Sequence, residues 1–200
     1  MMNNSVNNLF VLSGPSGCGK DTVIKCLKYL RNDIFLSVSC TTRGPRDGEK
    51  EGVDYYYLSR EQFEEMIETG LMLEYNFYAG NYYGTSRKEM ERGLAMDKVV
   101  ILVIDVHGAH NIKEAYPDAT LIFLLPPSME TLRERIEARG VTNTNDIGER
   151  MEIAMAEIED SINFDYRIVN DDLDTCVREV SSIIDSRMHK DITTEGEETC

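Results

Sequence analysis

Residues 14–20 read Gly-Pro-Ser-Gly-Cys-Gly-Lys, three glycines and a lysine in seven positions, a composition suited to holding phosphate. Gly14, Gly17 and Gly19 allow backbone conformations closed to other residues, so consecutive N–H groups can turn toward one anion, and Lys20 adds a full positive charge. The spacing fits the phosphate-loop pattern G-x-x-x-x-G-K-[ST] up to its last place, where Asp21 stands and Thr22 follows. In that pattern a hydroxyl binds Mg²⁺ beside a triphosphate, and a carboxylate there is repelled unless a cation lies between. Three readings of Asp21 stay open. It ligates Mg²⁺ directly or through water, it leaves the hydroxyl's task to Thr22, or it only complements the positive end of the following helix.

Further groups carry chemistry. Thr41-Thr42-Arg43-Gly44-Pro45-Arg46-Asp47-Gly48 sets two arginines three residues apart on a constrained turn, where both guanidiniums can fork onto one phosphate; an exposed basic turn is the alternative. Glu74 lies in an apolar run and is either a ligand-reading carboxylate or a buried acid paired to an arginine. Tyr55 and Tyr83 stand among Tyr56, Tyr57 and Tyr82, so alternation can send some rings to the core and others to a cleft. Arg135 and Arg139 are four apart and share a helix face, with Glu134 and Glu137 close enough to make it an ordinary solvated one.

The elements that must position these groups alternate between strand-like runs and helical periods, the pattern of an α/β fold with a mostly parallel central sheet covered by helices. Leu9 to Ser13 reads as a strand emptying into the glycine loop, and Val23, Leu27 and Leu30 mark one face of the next helix. Strands are expected at Ile34–Ser39, Tyr55–Leu58 and Leu71–Tyr75, with a helix between the last two that starts on a Ser59/Gln62 capping box and stops at Gly70. Gly80 to Gly84 reads as a tight aromatic loop. Val99–Asp105 and Leu121–Leu125 read as buried strands. A helix from Ser128 to near Gly140 follows, then a polar stretch, Val141–Asn145. Next come a helix carrying Ile147, Met151, Ile158 and Ile162, a strand at Tyr166–Val169 and a helix marked by Leu173, Val177, Val180 and Ile184.

With 200 residues the chain can build one sizeable core, and it shows no internal repeat. A net charge of −15 argues against nucleic acid and anionic membrane as partners, since both reward a basic face. Small anionic ligands need only a local basic cluster. The five cysteines lack metal-ligand spacing and read as free thiols, and the polar first eight residues carry no leader pattern, so a cytoplasmic location is expected. Asp191–Cys200 is acidic and without apolar period, the composition of a disordered tail.

The segments GPSGCGK, SVSCTTRGPRDGE, GVDYYY, GNYYGTSR and VNDDLD, in this order and spacing, resemble guanylate kinase from about Leu9 to Ile184. The resemblance implies a three-layer phosphate-loop fold over 7–187, with a mobile GMP-binding segment at 39–87, a lid at 126–157 and a tail from 188 to 200. It implies Mg²⁺-dependent transfer of the ATP γ-phosphoryl group to GMP or dGMP by a monomer or homodimer. ATP is expected on Ser13, Gly14, Pro15, Ser16, Gly17, Cys18, Gly19, Lys20, Asp21, Thr22 and Asn170, the last beside adenine. Arg43, Arg46, Tyr55 and Tyr83 match residues that hold the GMP phosphate, and Ser39, Glu74 and Thr85 match those facing guanine. Guanine's adjacent N1–H and N2–H donors suit one ionised carboxylate, whereas adenine offers an acceptor at N1. Lys20, Arg43, Arg135, Arg139 and Arg150 are the expected catalytic cations; Asp105, with Asp21 and Thr22, is the expected Mg²⁺ set and also faces GMP. Many guanylate kinases carry two acids at the end of the central strand, and here Val103 replaces the first. A kinase for another phosphorylated acceptor, such as a ribose bisphosphate, would lack the base-facing set. A non-catalytic interaction module would have lost the phosphate loop.

Overall fold

The computed structural model describes residues 6–78, 80–138 and 144–188. Nine strands and seven helices occur among them: β1 Leu9–Ser13, α1 Lys20–Leu30, β2 Ile34–Leu36, β3 Cys40–Thr41, β4 Tyr56–Tyr57, α2 Arg60–Glu68, β5 Met72–Tyr78, β6 Asn81–Ser86, α3 Arg87–Ala95, β7 Val99–Val103, α4 Val106–Ala115, β8 Thr120–Leu125, α5 Met129–Ala138, α6 Thr144–Asp160, β9 Tyr166–Val169 and α7 Leu173–Met188. The chain forms two compact units, Met1–Val11 with Asp33–Ala119 and Leu12–Asn32 with Thr120–Cys200. The division between them falls inside β1, after Val11.

In the first unit β2 pairs in parallel with β7, Ile34 opposite Val99. Val99 to Leu102 are all buried, as the apolar run of a strand covered on both faces requires. This unit also holds a second sheet, β4-β3-β6-β5, in which β5 and β6 form an antiparallel hairpin with Glu74 opposite Thr85 and Asn76 opposite Tyr83. Phe63 of α2, Cys40 and Met72 make a small core behind it. The capping box is present: Ser59 Oγ accepts from Gln62 N, and the Gln62 side chain accepts from Ser59 N.

In the second unit β8 pairs in parallel with β9, Ile122 opposite Tyr166. Helices α5 and α6 close on each other through Leu132, Ile136, Ile147, Met151 and Ala154. Ser128 begins α5 by accepting from Thr131 N at 3.1 Å.

Several expectations are corrected. Residues 81–86 are strand β6, not a tight loop, because they pair antiparallel with β5 along their whole length, which sends the adjacent Tyr82 and Tyr83 to opposite faces. Leu30, at the last position of α1, is 61% exposed rather than part of its inner face. Ile162 lies in a 3-10 turn, Ser161–Asn163, and is 74% exposed, since the tighter winding turns it off the α6 stripe. Helices α3 and α4 were not anticipated. Arg139, most of the polar stretch after it and residues 189–200 of the expected tail lie outside the described residues.

Candidate active site

One candidate cluster is built in the second unit. β1 ends at Ser13 and the chain turns through the glycine loop into α1, whose first turn carries Asp21 and Thr22, both exposed. Lys20 Nζ donates to the carbonyls of Gly14 and Pro15, which fixes the ammonium against the loop and leaves its third hydrogen for a ligand. Gly19 holds φ +101°, and a Cβ there would come 2.4 Å from Asn170 Nδ2, so only glycine fits. Asn170, 6% exposed, donates from Nδ2 to Cys18 O at 2.8 Å. Arg135 reaches the same carbonyl and that of Asn170, both at 3.4 Å. These two side chains therefore brace the loop from beneath. Arg150 lies half-buried on α6. Burial pushes the Cys18 thiol up, opposed in part by Lys20, so it sits in the loop as an apolar filler.

A separate candidate cluster is built in the first unit. Arg43 forks onto Glu49, Nη2 to Oε1 at 2.9 Å and Nη1 to Oε2 at 3.0 Å. Glu49 also accepts from Arg46 N at 2.8 Å and Tyr57 Oη at 2.9 Å. Arg43, with Arg46 N and Tyr57, holds the Glu49 carboxyl down at about 2, and Glu49 and Tyr83 hold the Arg43 guanidinium above its ordinary value. The guanidinium also lies 5.4 Å from the Tyr55 ring centre, and Tyr55 meets Tyr83 edge-on at 6.2 Å. Arg43, Tyr55 and Tyr83 are thus brought together. Arg46 joins them through its backbone, while its side chain is exposed.

Cross-strand pairing puts Glu74, Thr85, Asn76 and Tyr83 on one face of the β5–β6 hairpin. The other face carries Phe77, and Tyr82 stacked 5.1 Å from Phe63. Alternation has sorted the tyrosines: Tyr82 and Tyr56 pack on the small core, while Tyr55, Tyr57 and Tyr83 attend the arginine turn. Glu74 is 6% exposed, and its Oε1 is buried with no hydrogen-bond partner. Burial pushes its carboxyl up to about 7, hydrogen bonds from the Thr85 hydroxyl and N–H oppose this, and the charge of Asp105 adds to it. Its hydrogen bonds come from Thr85 and not from an arginine. A buried carboxylate oxygen with nothing to accept from is costly, and a ligand N–H would relieve it. Ser39 is half-buried, its carbonyl accepting from Tyr56 N at 2.9 Å. The nearby Ser37 hydroxyl, buried and also without a partner, was not anticipated.

Asp105 follows β7 and caps α4. Oδ1 accepts from Gly108 N at 2.8 Å and Oδ2 from Asn76 Nδ2 at 2.6 Å. Val103, where a second acid was looked for, is half-buried at the end of β7. Among the described residues no group of three or more His, Cys, Asp or Glu could hold a metal alone. Exposed oxygen donors at Asp21 and Thr22, beside a phosphate-binding loop, suit Mg²⁺ carried on a nucleotide with only one or two protein ligands.

The sequence model of the family described as guanylate kinase matches residues 6–187. The chain belongs to the guanylate kinase family. Two curated members are similar over most of their length: the guanylate kinase of Synechocystis sp., 45% identical over 88% of this chain and 92% of that protein, and the guanylate kinase of Enterococcus faecalis, 48% identical over 89% and 88%. A crystal structure of guanylate kinase from Anaplasma phagocytophilum superposes with a TM-score of 0.75 at 36% identity, covering 91% of this chain and 86% of that one. Within this guanylate kinase-family chain, Ser37, Glu49, Asn76 and Gly108 are the residues that sequence reasoning missed.

Proposed function

We infer that the chain transfers the γ-phosphoryl group of ATP to GMP or dGMP, giving ADP and GDP or dGDP. The observation that carries this reading is Glu74, a buried carboxylate with an unpartnered oxygen on the hairpin face that also bears Thr85 and Tyr83. Ionised, it accepts from guanine N1–H and N2–H together, while Thr85 and Ser39 supply hydroxyls to the base. Arg43, Tyr55, Tyr83 and Arg46 take the GMP phosphate. On the donor side the loop amides from Gly14 to Lys20 take the ATP phosphates, Lys20 adds its remaining hydrogen, and Asn170 keeps the loop in shape.

A GMP phosphate oxygen is already anionic near neutral pH, so no general base is needed. A bond forms from that oxygen to the γ-phosphorus, the bond from the γ-phosphorus to the β–γ bridging oxygen breaks, and ADP leaves with the electron pair. Positioning and charge neutralisation carry the rate. Lys20, Arg43, Arg135, Arg139 and Arg150 balance the charge. Mg²⁺ bound with ATP supplies further neutralisation, held by Asp21 and Thr22. Asp105, each of whose oxygens already accepts one protein donor, serves chiefly on the GMP side. We assign the acceptor segment to 39–87 and the cell compartment to the cytoplasm, where the free thiols of Cys18, Cys26, Cys40 and Cys176 are at home. No helix among the described residues is long and apolar enough to cross a membrane.

A coupled assay with ATP, Mg²⁺ and each nucleoside monophosphate tests the reading. GMP and dGMP should be phosphorylated at least a hundredfold more efficiently than AMP, CMP or UMP. Turnover of a sugar phosphate but not of GMP would refute it.

A further inference from the structure

The Glu74 carboxylate owes its place to neighbours on its own strand and on the first turn of α4. Asn76 stands two residues further along β5, on the same face, and its Nδ2 donates to Asp105 Oδ2 at 2.6 Å. Asp105 Oδ1 in turn accepts from Gly108 N at 2.8 Å, which fixes the first turn of α4. That turn lies against Glu74: a Cβ on Gly108 would come 2.6 Å from Glu74 Oε2 and 3.2 Å from its Cδ, well inside contact distance. Gly108 is buried and helical, so its backbone has no need of a glycine. The missing side chain has one evident use, the space taken by the carboxylate. A closed circuit results, from Glu74 along the strand to Asn76, across to Asp105, into α4 at Gly108 and back to Glu74.

We propose that Gly108 is a specificity-determining positioning residue, seating the Glu74 carboxylate so that both its oxygens can meet guanine, with the Asn76–Asp105 hydrogen bond holding α4 in register. The proposal rests on the reading of Glu74 as the base-selecting residue. Alanine at 108 suits a helix better than glycine. The atom it would strike is the tip of a flexible side chain, so the strain is relieved by moving the carboxylate. A displaced carboxylate cannot accept from N1–H and N2–H at once. Inosine monophosphate offers N1–H but no N2 amine, so the ratio of GMP to IMP turnover reports whether both acceptors are in place.

The experiment is steady-state kinetics of Gly108→Ala with GMP and IMP, beside Glu74→Gln and the pair Glu74→Asp and Glu74→Asp/Gly108→Ala. Gly108→Ala should lower kcat/KM for GMP by about ten- to a hundredfold and for IMP by much less, with KM for ATP unchanged. Aspartate at 74 draws the carboxylate back by one methylene, so in that background alanine at 108 should cost nothing more. Should Gly108→Ala keep the GMP preference while Glu74→Gln loses it, the positioning role is wrong and the base-reading role stands. If Glu74→Gln itself keeps the preference, the base-reading role fails and the proposal with it. Should Gly108→Ala not fold, Asn76→Ala decides: a several-fold loss confined to GMP supports the circuit, and equal losses for GMP and IMP overturn it.

Discussion

A single carboxyl sets the pH response at the residue scale. Glu74 titrates near 7 in the folded chain, against about 4.5 when exposed, because burial disfavours its charge. Only the ionised form accepts guanine's two donors, so kcat/KM for GMP should rise with pH through about 7. AMP, which shares the titrating phosphate, serves as the control that removes the substrate's own ionisation. The same shift acts on stability. Between about 4.5 and 7 the folded chain holds the proton that the unfolded chain has lost, so stability falls as pH rises across that window. Glu74→Gln should therefore be more stable than the parent at pH 8, by up to about 3 kcal/mol, and the gap should close by about pH 4. An unchanging gap in a pair of melting curves would contradict the assignment. Glu49 acts in the opposite sense: four donors from three residues converge on it, and Arg43 takes its orientation from the fork. Glu49→Gln should raise KM for GMP roughly tenfold while leaving the affinity for guanosine, which lacks the phosphate, untouched. Calorimetric titration of both ligands checks this. The paired arginines stood out by residue type and spacing, whereas the sorting of the tyrosines and the role of Glu74 stayed open on the residues alone and took their direction from the resemblance. Glu49 was not legible, since Asp47, Glu51 and Asp54 around it make any one acid look like solvated charge, and Gly108 was not, since nothing in a helical glycine reveals what fills the space beside it.

Among the elements, the phosphate loop illustrates how much a short turn depends on what lies under it. The resemblance places Asn170 beside adenine, and its amide nitrogen also holds the Cys18 carbonyl at 2.8 Å. Asn170→Ala should leave that buried carbonyl with only the long Arg135 contact, weakening ATP binding on the order of tenfold and lowering the melting temperature, with KM for GMP little changed. Equilibrium binding of an ATP analogue would measure it, and an unchanged affinity would mean that the loop holds its shape unaided. The strands and helices of the main sheet were readable from period and punctuation, because strands buried on both faces are nearly continuous apolar runs. The hairpin was not. Asn81-Tyr82-Tyr83-Gly84 mixes turn formers with rings, and only pairing with β5 shows that every second side chain faces the same way. Helices α3 and α4 escaped notice for a related reason: their inward positions are filled by Glu89, Gly93 and Gly108 as much as by apolar residues.

At the scale of the whole molecule the dominant quantity is charge. Thirty-six acidic residues against twenty-one basic ones leave a net −15, which repels itself in the compact state. Exposed pairs such as Arg60–Glu64 offset little of that. Raising ionic strength from about 20 mM to about 300 mM should therefore raise the melting temperature by a few degrees, because screening relieves the repulsion. A fall would show that ion pairs such as Arg31–Asp185 outweigh it.

The two-sided hairpin sets a rule for how this chain can change over time. Because neighbours along β5 and β6 point to opposite faces, losing or gaining one amino acid there would replace the face of Glu74, Asn76, Tyr83 and Thr85 by the one that carries Tyr75, Phe77, Tyr82 and Gly84. Insertions and deletions should survive in that stretch only in pairs, or at its tip around Gly80, whatever their effect on hydrophobicity or charge.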